Sequence, residues 1–135
     1  MITTETKIRV RYADTDTMGV VYHSNYAIFF EVARTEMFRE LGIPYSQMEK
    51  EGIALPVADL HISYKRSAHY DDLLTVRTTI NEKPTVKVVF NYQIFNEQDE
   101  LLCTGETTLV FLNKATGRPT RIPKGIADLL EARWV

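Results

Sequence analysis

Residues able to do chemistry are concentrated between Tyr12 and Tyr26. The stretch Tyr12-Ala13-Asp14-Thr15-Asp16-Thr17-Met18-Gly19-Val20-Val21-Tyr22-His23-Ser24-Asn25-Tyr26 holds two carboxylates, a glycine and a histidine. It leads into a helix-like run that opens at Ser24. The start of a helix supplies unpaired backbone N–H groups and the positive end of its dipole. A carboxylate beside such a terminus can face an electrophile whose oxygen the N–H groups hold. Acyl transfer needs that pairing of a base or nucleophile with oxyanion stabilisation. Plainer readings compete. Asp14 reads best as a turn cap, and Asp16 taken alone suits a turn as well as it suits catalysis. His23 can serve simply as a helix-start residue bonded to backbone. His61 falls out of phase with Leu60 and Ile62 and so belongs to a solvent or interface face. His69, beside Asp71 and Asp72, reads as structural. Glu31, among apolar helix neighbours, reads as a surface-edge residue or an arginine partner. Three histidines at these spacings do not make a metal site, and no metal is expected.

A second chemistry fits Asp14-Thr15-Asp16-Thr17. The run matches the Asp-x-Asp-x-Thr pattern of magnesium-dependent, haloacid-dehalogenase-like phosphatases, in which the first Asp would be the nucleophile and the second the acid/base. That chemistry sits at the end of a strand in a parallel α/β sheet, and a motif counts only in its context. The pattern that follows here is antiparallel, which makes the phosphatase the weaker reading.

The elements that must position these residues follow from periodicity. Ile8, Val10 and Tyr12 alternate with Arg9 and Arg11, the period of a half-buried strand over Lys7–Tyr12. A helix is expected from Ser24 to Leu41, with Ser24 as N-cap, Gly42 as C-cap and Pro44 blocking continuation. Tyr26, Ala27, Ile28, Phe29, Phe30, Val32 and Ala33 point in every direction, which predicts a helix buried all round in its first half. A shorter helix is expected over 45–51. Four strands follow, carried by Leu60, Ile62 and Tyr64; by Leu74, Val76, Thr78 and Ile80; by Val86, Val88, Phe90, Tyr92 and Ile94; and by the apolar residues of 101–112. Gly105 within the last of these predicts a bulge or a close backbone approach. Residues 113–119 read as a loop, and Ile126, Leu129 and Leu130 as a short terminal helix. Strand, helix, then four strands in series give an α+β domain with antiparallel pairing, in which a five-stranded sheet wraps the helix. Its exposed strand edges predict pairing across a dimer.

The chain has 135 residues, the size of one domain, and residues 1–135 are read as one. Lys plus Arg number 16 against 18 Asp plus Glu, so the basic excess of a nucleic-acid binder is missing. One cysteine, Cys103, permits no internal disulfide and fits a reducing, cytoplasmic compartment. No apolar run approaches the ~20 residues that span a bilayer, so membrane insertion is not expected.

Tyr12 to Tyr26 resembles the signature of the acyl-CoA thioesterases of the 4-hydroxybenzoyl-CoA thioesterase and YbgC type, roughly Tyr-x-Asp-x-Asp-x-x-Gly-Val-Val-Tyr-x-x-Asn-Tyr. All of its positions are met. Ala68-His69-Tyr70-Asp71-Asp72-Leu73-Leu74-Thr75-Val76 is similar to the family's Tyr-Asp-Asp-x-Leu segment, and Glu31-Val32-Ala33-Arg34-Thr35-Glu36-Met37 resembles the YbgC branch. The resemblance implies a hotdog fold and hydrolysis of a thioester to a carboxylate and free coenzyme A. It places the catalytic carboxylate at Asp16, as general base or as nucleophile. It sets the carbonyl-polarising helix start at His23, implicates the His23 side chain, and puts Tyr12 in the site as an orienting residue for Asp16. Gly19 gives the tight turn between base and helix, while Met18, Val21 and Phe30 supply apolar pocket wall. Asp71 and Asp72 read as turn and strand-end residues. No separate cofactor is implied, because coenzyme A is part of the substrate. Its phosphates would meet basic side chains among Lys65, Arg66, Lys83, Lys87, Arg118, Arg121 and Lys124, with Lys87 favoured by the family pattern. The resemblance also implies a homo-oligomer, a dimer or a tetramer, with the site at a subunit interface. Acyl-carrier protein is a second possible carrier of the acyl group, and an acyl-binding or protein-interaction module is the alternative to an enzyme.

Overall fold

The computed structural model describes residues 1–135. Strand β1 covers Ile2–Arg9, and a 3₁₀ turn at Tyr12–Asp14 begins the loop to helix α1, Asn25–Leu41. Helix α2 is Tyr45–Lys50. Strands β2 (Ile53–Ala54), β3 (Val57–Tyr64), β4 (Leu73–Ile80), β5 (Lys87–Phe95) and β6 (Leu101–Val110) follow. Two short strands, β7 (Leu112–Asn113) and β8 (Arg118–Pro119), precede the terminal helix α3, Lys124–Arg133.

The main sheet runs β1-β4-β5-β6-β3, antiparallel throughout, with β2-β7-β8 as a small second sheet. Residues of the inner face alternate as the sequence requires. Leu74, Val76, Thr78 and Ile80 of β4 are buried, as are Val88, Phe90, Tyr92 and Ile94 of β5. They close on the buried face of α1, made by Tyr26, Phe29, Phe30, Ala33, Met37, Phe38 and Leu41. This is the hotdog architecture, a five-stranded antiparallel sheet around a central helix.

The helix packs so closely at one point that only glycine fits. Phe30 is fully buried and stacks on Tyr92, with ring centroids 4.2 Å apart. A Cβ on Gly105 of β6 would overlap the edge of the Phe30 ring. The glycine expected to mark a close approach in the last strand therefore receives the helix. Below the same ring the Tyr92 hydroxyl meets the Thr107 hydroxyl at 2.6 Å, which satisfies two buried polar groups at once.

Several expectations are corrected. The first strand lies earlier, at Ile2–Arg9, and Tyr12 leaves its alternation to enter the 3₁₀ turn, where it is 79% exposed. Ser24 sits at the N-cap position of α1, but its side chain makes no capping bond. Helix α1 is not covered all round: Ile28 and Val32, one turn apart, remain exposed at 48% and 39%. Residues 113–119 form a β7-β8 hairpin rather than an open loop. Strand β3 does not pair with its successor β4 but crosses to β6, which leaves its other edge open. No helix is long and apolar enough to cross a membrane.

Candidate active site

The Asp16 loop is a small hairpin built almost wholly from local bonds. Asp16 N–H donates to the Val20 carbonyl (2.9 Å), and Gly19 N–H donates to the Asp16 carbonyl (3.1 Å). Tyr22 N–H donates to the Asp14 carbonyl (2.9 Å), and Thr15 bridges to Val21. Gly19 has φ of +80°, the left-handed conformation that ends a three-residue hairpin loop and favours glycine. Asp16 completes the turn with its side chain: Met18 N–H donates to Asp16 Oδ1 at 2.8 Å, and Val20 N–H donates to it at 3.4 Å. Both bonds fall on one oxygen. Asp16 Oδ2 has no partner in the chain, so the turn reading and the catalytic reading of Asp16 are compatible. Residues Val20 and Val21 then dock on the next segment, Val20 bridging to His69 and Val21 N–H donating to the Ala68 carbonyl at 2.9 Å.

Asp14 anchors the loop to α1. Its buried carboxylate accepts from the Arg11 backbone N–H (2.9 Å), the Arg11 guanidinium (2.9 Å) and Asn25 Nδ2 (3.0 Å). Burial pushes this carboxyl upward, but the hydrogen bonds from Arg11 and Asn25 and the Arg11 charge outweigh it and hold it below the usual carboxylate range. The structural reading of Asp14 therefore holds. The antiparallel sheet around it also lacks the parallel α/β context that the phosphatase motif needs.

At the helix start, Asn25 N–H donates to the Tyr22 carbonyl (2.9 Å), while neither His23 N–H nor Ser24 N–H has an acceptor in the chain. These amides stand, with those of Tyr26 and Ala27, without a backbone acceptor at the N-terminus of a 17-residue helix, where the dipole favours negative charge. The His23 ring is exposed and lies 4.3 Å from the Tyr22 ring. Asp16 and His23 line one cleft of about 300 Å³ with Val20, Val21, Tyr26, Tyr64, Lys65, Arg66 and Ser67.

The structure thus brings Asp16, His23 and Val21 together, with Gly19 shaping the turn. Tyr12 stands apart. No hydrogen bond joins it to Asp16, and its ring packs edge-on against Tyr70, with centroids 5.8 Å apart. Within one chain it does not orient the carboxylate, because the 3₁₀ turn swings it outward. Lys87 is not brought to the cleft either. It pairs with Val110 at one end of β6, whereas Tyr64 of the cleft pairs with Cys103 near the other end. The basic residues that do reach the cleft are Lys65 and Arg66. Arg66 is paired with Glu100 (2.7 Å), and Lys65 donates only to the Ser63 hydroxyl (3.1 Å). Sequence reasoning missed Tyr64 and Tyr26 as cleft residues. The β3–β6 crossover hid Tyr64, whereas Tyr26 already closed the Tyr12–Tyr26 stretch and read only as helix core. Asp71, with φ of +68°, and Asp72, which accepts from His69 N–H at 2.8 Å, form the turn expected of them. Glu31 is exposed and makes no ion pair. The chain gathers no group of three His, Cys, Asp or Glu side chains that could hold a metal ion.

A helix start and a carboxylate on one cleft form an arrangement able to carry out acyl transfer. Comparison with known proteins shows the family. Residues 10–130 match the thioesterase-like superfamily, and the chain belongs to that family. It is 40% identical over 122 residues to a putative acyl-CoA thioesterase, YneP, of Bacillus subtilis, covering 90% of this chain and 88% of that one. It is 35% identical over 119 residues to the acyl-CoA thioester hydrolase YbgC of Escherichia coli, covering 88% and 89% of the two chains. The crystal structure of a DHNA-CoA thioesterase from Staphylococcus aureus superposes with a TM-score of 0.90 at 44% identity, covering 98% of this chain and 89% of that one.

Proposed function

We propose that this protein hydrolyses an acyl-CoA thioester at the cleft between the Asp16 hairpin and the start of α1. The observation that carries the reading is the unpartnered Asp16 Oδ2 in the same cleft as the free amide of His23. The thioester carbonyl oxygen binds at the His23 and Ser24 N–H groups. These hold the charge that develops as the carbonyl becomes tetrahedral. Asp16 works from the other side in one of two ways. As general base it takes a proton from water as the water oxygen bonds to the acyl carbon. As nucleophile it bonds to that carbon itself, and water later opens the anhydride. Either route breaks the C–S bond and leaves a carboxylate and the coenzyme A thiol.

Lys65 has no acidic partner and lines the cleft, so it is the first candidate for a coenzyme A phosphate. The 44% identity to a DHNA-CoA thioesterase makes an aromatic acyl-CoA the first substrate to test. Acetyl, butyryl and palmitoyl thioesters, each on coenzyme A and on acyl-carrier protein, complete the panel. Thiol release reports turnover cleanly, because Cys103 is buried and burial pushes its thiol up to about 12. Asp16→Asn is expected to remove turnover, by at least roughly a thousandfold in kcat, with an unchanged melting temperature. A folded variant with near wild-type kcat would overturn the assignment. Hydroxylamine separates the two routes: an Asp16 hydroxamate found by mass spectrometry marks the anhydride, and its absence during turnover marks the general base.

A further inference from the structure

Tyr64 touches the site at a point where a side chain can govern backbone chemistry. It lies at the end of β3, its ring half exposed, yet its hydroxyl donates to the His23 carbonyl at 2.8 Å. That carbonyl belongs to the peptide unit whose N–H is the free amide of Ser24. A peptide unit is planar and trans, so fixing the direction of its C=O fixes the direction of its N–H. A donor on the oxygen also polarises the unit and strengthens its N–H toward an acceptor. The preceding unit is held in the same way, because the Tyr22 carbonyl, which shares a plane with His23 N–H, accepts from Asn25 N–H at 2.9 Å. The His23 and Ser24 amides are therefore set through their carbonyl ends. The first clamp is backbone. The second is Tyr64 alone.

The ring is itself well supported. It packs edge-on against Tyr26, with centroids 5.4 Å apart, and the Tyr26 hydroxyl accepts from Ala68 N–H at 3.3 Å. Partial burial pushes the Tyr64 phenol above its usual value, so it remains a donor through the neutral range. We infer that Tyr64 is a positioning residue for thioester hydrolysis: its hydrogen bond to the His23 carbonyl aims and strengthens Ser24 N–H as the second donor to the oxyanion. The inference rests on the thioesterase reading above. It adds to it a side-chain control over the helix-start amides.

Tyr64→Phe removes the hydroxyl and keeps the ring. The oxyanion forms only along the reaction path, so the loss belongs to kcat rather than to ground-state binding. Loss of an oxyanion donor itself costs roughly 10²–10³ in kcat, and misaiming one should cost somewhat less, roughly ten- to hundredfold, with KM changed by less than about threefold. A kcat within about twofold of wild type would overturn the inference. So would a Tyr64→Phe enzyme with full kcat beside a Tyr64→Leu enzyme that has lost it, since that pair assigns the effect to ring packing. A second readout needs no turnover. In ¹⁵N-labelled protein the Ser24 amide resonance should shift in Tyr64→Phe, while Asn25, on the next peptide unit, moves less. An unmoved Ser24 amide would refute the clamp. If wild type hydrolyses no thioester, the parent reading fails, and the Ser24 resonance still decides whether Tyr64 controls that peptide unit.

Discussion

Two aspartates two residues apart do opposite work, and their hydrogen bonds explain why. Asp16 satisfies one oxygen in its own turn and leaves the other free. Asp14 spends both of its oxygens on Arg11 and Asn25 and is buried. Asp14 joins the hairpin to the helix start, so its loss strands the Arg11 amide and the Asn25 side chain. Both donors are only partly buried, so each costs toward the low end of the ~1–3 kcal/mol of a buried unsatisfied group, and Asp14→Ala should lose roughly 1–2 kcal/mol in urea unfolding at pH 7. A loss below about 0.5 kcal/mol would contradict this role. The pH dependence has a fixed sign. The folded-state pKa of Asp14 lies below its unfolded value near 3.9, so its contribution is complete above that value and disappears as pH falls through the folded one. Wild type should therefore lose stability in acid more steeply than Asp14→Asn, which has no carboxyl there to protonate. The spacing of Asp14, Asp16, Gly19 and His23 marked the candidate site in the sequence, because all of them sit on one local run between β1 and α1. The outward turn of Tyr12 was not legible, since it follows from the Arg11–Asp14 contact and not from alternation along a strand.

Among the elements, the decisive contact is α1 lying across β5 and β6 with Phe30 over Gly105. Strand periodicity and helix length were readable, because burial on one face imposes a period of two on β4 and β5. Crossover was not. Nothing in the order of strands announces that β3 pairs with β6, and with it went the places of Tyr64 and Lys65 in the cleft and of Lys87 away from it. Gly105 was legible as a close approach but not its partner. The backbone at Gly105 is not in the left-handed region, so a substitution there tests packing alone. Gly105→Ala must displace the Phe30 ring from its stack on Tyr92, and overpacking of this kind costs about 1–3 kcal/mol. In a double-mutant cycle, Phe30→Leu should recover part of that loss on the Gly105→Ala background while being destabilising on its own. Strict additivity of the two changes would show that the contact does not set the helix position.

For the whole molecule, the unresolved demand is the open side of β3. This edge carries exposed Val57, Leu60 and Tyr64, and its unpaired backbone groups form a template for another strand. Ile28 and Val32 add exposed apolar surface on one face of α1. A helix that reads as apolar all round but stays open on one face within the chain is what an interface element looks like before its partner is counted. The resemblance to the hotdog thioesterases implies that two copies pair along this edge, β3 to β3, and extend the two five-stranded sheets into one of ten strands. Light scattering should then give about 31 kDa, twice the chain mass of 15.6 kDa, or a multiple of that value. Leu60→Lys puts a charge on the open strand of each copy without touching the buried core, and should shift the mass toward a single chain. Tyr64 ends the same strand, and the Asp16 cleft lies beside it, so the variant should lose thioester hydrolysis together with association. A wild-type mass of one chain at assay concentration would defeat the paired sheet. A Leu60→Lys monomer with full activity would show instead that the cleft is complete within one subunit.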